Sequence, residues 1–476
     1  MKSATAFIFV VFVCLGASIA RTHALAPLFI EGYADQRSVA QGEEIGLHIS
    51  TSAALFSAEI HRVGQDKTLV WQAKNLRGAQ HEIPEDASAK GCGWPLTLKV
   101  KTSSEWKSGY YEVTLRAEDP GGKWTHRSTH LAESSVWFIV RQAKPGETSR
   151  ILLQLATNTY NAYTNWGGFS LYSYNSLAGN AGHAVSFHRP VTSQYSRWEL
   201  PFVQWAECRG ISLEFATNED LEFHPEILTG YHLVLSVGHD EYWSSAMRDH
   251  LETWISRGGN VAFFSGNTCC WQIRTEAERH RFTCWKQNYH LDPVFATQEH
   301  RKLSSLWSHH LIARPENQLT GVGFLWGGYR KSHGQFMHEP AEYEIHQPDH
   351  WVFKGTGLSR GDKLGGKDTI VGYECDGCEL QWKDERPYPT HRDGTPADFQ
   401  VLATCPVRWH PDDAEWYEKW EKGRTGHACL GLYTQGGTVF TAGSTDWSHG
   451  LRGKDPAVEQ ITLNILQRLS QEPKKQ

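Results

Sequence analysis

The sequence predicts a chain in two parts: an all-β sandwich first, then an α/β domain built on a doubly wound, mainly parallel sheet. Three observations predict it. Leu233 to Val237 is an apolar run without helical period, as in a strand buried on both faces; it breaks at Gly238 into His239, Asp240 and Glu241, ahead of an amphipathic helix over Met247 to Ile255. Buried-type strands at Ile151 to Leu155, Leu213 to Ala216 and Val261 to Phe264 alternate with helical segments, the β-α-β order that yields parallel pairing. Before Lys144-Pro145-Gly146, which reads as a linker, short segments alternate apolar and polar residues with period two.

Taken in order, the chain opens with Lys2 and an apolar run from Ala4 to Ala20, followed by small residues that offer cleavage after Ala20 or Ala26. Residues 1–26 therefore read as an export signal, and the mature protein is expected to be secreted or periplasmic. No later run is long and apolar enough to span a bilayer. Residues 27–146 carry the alternating strands Gly46 to Ser50, Phe56 to Val63, Leu96 to Val100, Tyr110 to Ala117 and Val136 to Val140, spaced as in an immunoglobulin-like sandwich. In the fourth, Tyr111, Val113 and Leu115 share one face and Tyr110, Glu112 and Thr114 the other.

Residues 147–472 are assigned to the α/β domain. A helix is expected over Arg197 to Arg209, a late strand over Thr438 to Ala442 and a closing helix over Ala457 to Leu469. Residues 270–430, rich in Trp, His and Gly, carry no period that assigns elements. The net charge of −6 with no long charged run argues against a nucleic-acid or anionic-membrane surface. Twenty tryptophans point to thick aromatic packing, with sugar-stacking clefts the alternative. Beyond the signal lie nine cysteines: Cys92, Cys208, Cys269, Cys270, Cys284, Cys375, Cys378, Cys405 and Cys429. Cys375 and Cys378 have half a zinc spacing, but no second pair matches, so disulfides or free thiols are expected.

Several expected strands end in polar clusters: Thr157 to Asn161, His239 to Glu241, Ser265 to Thr268 and Gly443 to Trp447. Ligands of open α/β sheets bind beyond the carboxyl ends of the strands, so four clusters converging on one edge favour a site there. No G-x-S-x-G elbow, P-loop or H-E-x-x-H motif is present. Cys269 and Cys270 follow a strand, but a nucleophile needs a paired base, and buried structural cysteines are the simpler reading.

The segments TNTYNAY (157–163), SVGHDEYW (236–243), RGGNVAFFSGNTCCWQ (257–272), VGYECDG (371–377) and GSTDW (443–447) resemble the catalytic region of the N,N-dimethylformamidase large (beta) subunit. The likeness covers roughly residues 150–470 and the strand near Tyr111; Cys270 stands where that family carries Trp. It implies an amidotransferase-like scaffold and hydrolysis of the C–N bond of a small amide by one mononuclear non-haem Fe(III). It implies Tyr160, Glu241 and Tyr111, or Tyr110 in its place, as iron ligands, Glu374 as general base, and His239 and Asn267 as pocket residues. A small partner subunit or a homo-oligomer is a further expectation. Three anionic oxygens suit a hard ferric ion better than zinc, because a phenol of pKa about 10 ionises at neutral pH only beside strong positive charge. Two other readings compete: a carbohydrate-active or sugar-binding exported protein on the same scaffold, with Glu241 and Glu374 as a carboxylate pair, and a non-catalytic exported binding protein.

Overall fold

The computed structural model describes residues 27–118, 131–276, 280–330, 341–409 and 425–472. The expected export signal, residues 1–26, lies outside the described residues. Residues 27–118 and 131–141 contribute two sheets. One runs in the order Ile30–Ala34, Glu44–Thr51, Leu98–Lys101; the other runs Ser38–Ala40, Leu131–Arg141, Gly109–Glu118, Leu55–Val63, Lys67–Arg77. Alternation decides what lies between them: Tyr111, Val113 and Leu115 join Ile45, Leu47, Ile49 and Phe138 in one buried core. Tyr110, on the opposite face, packs outward against the rest of the chain, stacking on Tyr195 at 4.1 Å.

The second half is organised by an eleven-stranded sheet. Its first five strands, Glu214–Thr217, Ile151–Leu155, Leu233–His239, Asn260–Gly266 and Gly437–Thr441, pair in parallel. Beyond Gly437–Thr441 every pairing is antiparallel, through Thr425–Gln435, Gln400–Arg408, Gly323–Tyr329 and Glu374–Gly377. The expectation of a doubly wound, mainly parallel α/β (amidotransferase-like) domain behind an immunoglobulin-like sandwich is therefore corrected. The chain is predominantly β, with few helices and a mixed main sheet. The antiparallel strands come largely from residues 270–430, where bulged pairing, as between Val401 and Ala403 and between Gly323 and Gly328, breaks the alternation a reader would look for.

Both faces of the parallel strands are buried. Leu153, Leu155, Leu235, Val237 and Phe264 face the helices Glu199–Cys208, Trp447–Arg452 and Pro456–Leu469. Leu152, Val234, Val261 and Phe263 face Asn218–Phe223 and Ser245–Ser256. Ser245–Ser256 forms because Ser244 caps it, accepting from the Met247 amide at 3.2 Å, and because Met247, Leu251 and Ile255 recur every four residues. Burying such a stripe is worth roughly 1.5–3 kcal/mol per side chain. The two halves are tied by Arg62–Glu207 at 2.5 Å, Arg37–Glu219 at 2.8 Å and the Phe215 amide donating to Ser108 Oγ at 2.8 Å. No helix among the described residues is long and apolar enough to cross a membrane.

Candidate active site

The strand Leu233–His239 delivers His239 at its carboxyl end. Gly238 makes the exit possible: its φ is +84°, and a Cβ there would lie 2.3 Å from the Cβ of Trp198. Glu241 follows, held by its own backbone. Its amide donates to Thr159 Oγ1 at 3.0 Å, and its carbonyl accepts from the Trp271 amide at 2.9 Å. The neighbouring strand Asn260–Gly266 ends beside it and places Asn267. Glu374 arrives from the antiparallel part of the sheet. Its carbonyl accepts from the Thr445 amide at 3.1 Å, and the next residue, Cys375, bridges to Ser444. Gly266 permits this approach, because a Cβ would meet Thr445 N at 2.5 Å and the Glu374 carbonyl at 2.7 Å.

His239, Glu241, Asn267 and Glu374 are thereby brought together, all nearly inaccessible to solvent. His239 Nε2 lies 2.7 Å from Glu374 Oε2 and 3.3 Å from Glu241 Oε2. Asn267 Nδ2 donates to Glu374 Oε2 at 3.1 Å, while its Oδ1 is buried without a hydrogen-bond partner. Burial pulls the His239 pKa down, but the carboxylates of Glu374 and Glu241 outweigh it and the net direction is up. Below the pair, Asp376 accepts from the amides of Asn267 and Thr268 at 2.9 and 3.1 Å, and burial pushes its carboxyl up to about 7.

Phenols complete the pocket. Tyr172 OH lies 2.9 Å from both Glu241 oxygens, and Tyr242 OH donates to Tyr172 OH at 2.7 Å. Tyr163 packs its ring 4.2 Å from that of Tyr172 and 5.5 Å from that of His239. Trp271 Nε1 donates to Glu241 Oε1 at 2.8 Å. Tyr373 OH sits 3.4 Å from His239 Nδ1. Burial, and then the charge of Glu241, raises the pKa of Tyr163 and Tyr172 well above that of a free phenol. Arg189 anchors this wall: its buried guanidinium donates to the carbonyls of Asn161, Thr164, Trp166 and Phe169, tying the end of the helix Thr157–Tyr163 to the loop that carries Tyr172.

Two expected iron ligands are elsewhere. Tyr111 is fully buried between the two N-terminal sheets, stacks on Trp106 at 5.2 Å, and donates to the Lys107 carbonyl at 2.6 Å. The apolar face it shares with Val113 and Leu115 holds it there. Its alternative, Tyr110, stacks on Tyr195 in the interface between the halves. Tyr160 hydrogen-bonds to the buried carboxyl of Glu199 and packs edge-on to Trp137 at 5.6 Å. The structure does not bring Tyr111 or Tyr160 to Glu241: the phenol on that carboxylate is Tyr172, with Tyr163 packed against its ring. Tyr160 and Tyr163 occupy the same motif one helical turn apart, and spacing alone does not say which faces the pocket. Tyr172 lies in an irregular loop that carries no periodic signal.

Lys286 was also not legible in the sequence. Its Nζ is buried without a hydrogen-bond partner, 3.2 Å from the centroid of the Tyr172 ring and within 5.3 Å of those of Tyr242 and Trp271. Burial lowers its pKa to about 8. The nine cysteines beyond the signal are free thiols, eight of them buried; Cys269 and Cys270, pushed upward by burial, have no thiolate character.

A carboxylate and histidine set at the carboxyl end of a sheet, walled by phenols, places groups suited to proton transfer side by side. The chain belongs to the family described as N,N-dimethylformamidase beta subunit-like, C-terminal, whose pattern matches residues 57–460. It is 23% identical over 233 residues to the N,N-dimethylformamidase beta subunits of an Alcaligenes species and of Paracoccus aminophilus, covering 40% of this chain and 29% of each relative. The match thus spans under a third of those relatives' length. Among solved structures, a β-D-glucuronidase from Dictyoglomus thermophilum aligns with 49% of this chain and 43% of its own at 9% identity; its TM-score of 0.14 carries no argument.

Proposed function

We propose that this protein hydrolyses the C–N bond of a small amide, using a mononuclear non-haem iron held by Tyr163, Tyr172 and Glu241. The Tyr172 hydroxyl set on both oxygens of the Glu241 carboxylate, with Tyr163 packed against its ring and the His239–Glu374 pair beside it, carries the reading. The donor set fits such an ion. Glu241 supplies a carboxylate and Tyr172 a phenol oxygen 2.9 Å from it, the hard oxygen donors a trivalent cation favours. These phenols are too basic to ionise unaided, and a hard trivalent cation is what favours their phenolates. When bound, the iron would supply Lewis acidity toward the amide carbonyl.

The chain's own groups then divide the work. Glu374 takes a proton from the attacking water, oriented by Asn267 and by its contact with His239. As oxygen bonds to the carbonyl carbon and the C–N bond breaks, the departing nitrogen takes up a proton from the His239–Glu374 pair. The products are one acid and one amine. Asn267 Oδ1, an acceptor without a partner, is placed to receive an N–H or a water. Tyr373 borders the pair, and the walls of Tyr163 and Trp271 limit water.

Export is proposed on the apolar run Ala4 to Ala20 and the small residues after it. Buried thiols, as eight of the nine are, can persist in an oxidising compartment. Because the named relatives are beta subunits, a second subunit is also proposed. The test is hydrolysis of short formamides and acetamides by protein of known metal content. Amine and acid release that tracks about one iron per chain supports the reading; iron-loaded protein inert across the panel, or release that persists without iron, refutes it.

A further inference from the structure

Arg197 has no role in the chemistry above. It is exposed, and its guanidinium lies 4.3 Å from the centroid of the Trp198 ring and 5.4 Å from that of Tyr373. Among the described residues its guanidinium has no ion-pair or hydrogen-bond partner. Trp198 and Tyr373 stack at 5.9 Å, and Tyr373 is the residue before Glu374, with its hydroxyl 3.4 Å from His239 Nδ1. One aromatic ring therefore separates this cation from the acid–base pair. Tyr174 is 73% exposed, 5.7 Å from the Tyr172 ring, and within electrostatic reach of Arg197, Glu241 and Glu374. Arg197 and Tyr174 thus present a positive charge and an aromatic face on the outer side of Tyr373 and Tyr172, with the carboxyl groups of Glu374 and Glu241 behind them.

A guanidinium stacked on two rings is already ordered, so little freedom is lost when it binds a ligand, and its planar fork matches a carboxylate. A neutral dialkylamide has no group for it to recognise. We infer that Arg197 binds a carboxylate on the substrate, so that the substrate class is an N-acylated amino acid or a similar small amide bearing a carboxylate. This rests on the amide-hydrolase reading: the acyl C–N bond lies over His239 and Glu374, and the carboxylate lies at the rim. The charge complement also predicts that capture of the substrate weakens as salt rises.

The experiment compares N-formylglycine and N-acetylglycine with N-methylformamide and N-methylacetamide, using the full iron-loaded chain and Arg197→Met and Arg197→Lys. The wild type is expected to favour the carboxylate-bearing pair in kcat/KM. In Arg197→Met that preference should fall about tenfold or more, chiefly through KM, as expected for loss of a charge-assisted contact. Arg197→Lys, with charge but no fork, should fall in between. Equal use of both classes by the wild type, or a preference untouched by Arg197→Met, overturns the inference while leaving amide hydrolysis standing. Hydrolysis of neither class overturns both.

Discussion

At the scale of single residues, the site rests on groups whose protonation is set by their surroundings. Glu374 lies 2.7 Å from His239 Nε2 and accepts from Asn267 Nδ2 at 3.1 Å, whereas the Tyr172 phenol sits on Glu241, so the two carboxylates are proposed to have different roles. Glu374→Gln should lower amide turnover by about 10²–10⁴ with iron content unchanged, checked by assay and metal analysis of one preparation; iron lost with activity would make it a ligand. Lys286 is a buried cation that packs on the Tyr172 ring and, among the described residues, makes no hydrogen bond through Nζ. Replacing it with an apolar side chain of similar length removes the desolvation cost. Lys286→Met should therefore stabilise the metal-free protein by about 1–3 kcal/mol in denaturant melts.

Glu199 gives a pH prediction. Burial pushes its carboxyl up to about 8, against hydrogen bonds that pull the other way, the one with Tyr160 first among them. A carboxyl whose folded pKa is raised holds more protons folded than unfolded. Its contribution to stability is thus full below the unfolded value near 4.5 and declines as pH rises through about 8. Glu199→Gln should flatten the wild type's loss of stability between those limits, measured by chemical denaturation across the range. An identical pH profile in both proteins would contradict the assignment.

At the scale of elements, close approaches place the catalytic groups. Gly266→Ala would set a methyl 2.5 Å from Thr445 N and 2.7 Å from the Glu374 carbonyl, forcing Glu374–Gly377 away from Asn260–Gly266. Activity should fall at least about tenfold even where the protein folds, since small misplacements of acting groups are costly; unimpaired activity would show that the approach is not needed. The elements also show how far the sequence could be read. The polar ends of the parallel strands were legible because an uninterrupted apolar run such as Leu233 to Val237, stopping at Gly238, has few other readings. Glu374–Gly377 was not legible as a strand: it is four buried residues, two of them acidic, paired through a bulged neighbour. The mixed sheet followed from what was missed there. Tyr172 escaped notice because the loop holding it is ordered by Arg189, whose contacts are with backbone carbonyls and leave no pattern in side-chain type.

At the scale of the whole molecule, the N-terminal sheets and the main sheet share a core. Tyr110, Trp137 and Ile139 from the front pack in one cluster with Tyr160, Tyr195, Phe202 and Leu235. Tyr111 fills the front core instead, and the two parts are joined by packing and by ion pairs such as Arg62–Glu207 and Arg37–Glu219. Calorimetry should show one unfolding transition rather than two, and Trp137→Ala should lower its midpoint without altering iron content. Loss of such a buried aromatic costs about 3–5 kcal/mol. The same reasoning separates the phenols by function. Tyrosinate bound to ferric ion absorbs visible light, so the most direct measurement is the visible spectrum and iron content of four Tyr→Phe variants of the iron-loaded protein. Tyr163→Phe and Tyr172→Phe are expected to weaken or shift the band and lower iron occupancy, while Tyr111→Phe and Tyr160→Phe leave both as in the wild type. A band that survives loss of Tyr163 and Tyr172, or disappears with Tyr160 or Tyr111, would contradict the pocket proposed around Glu241.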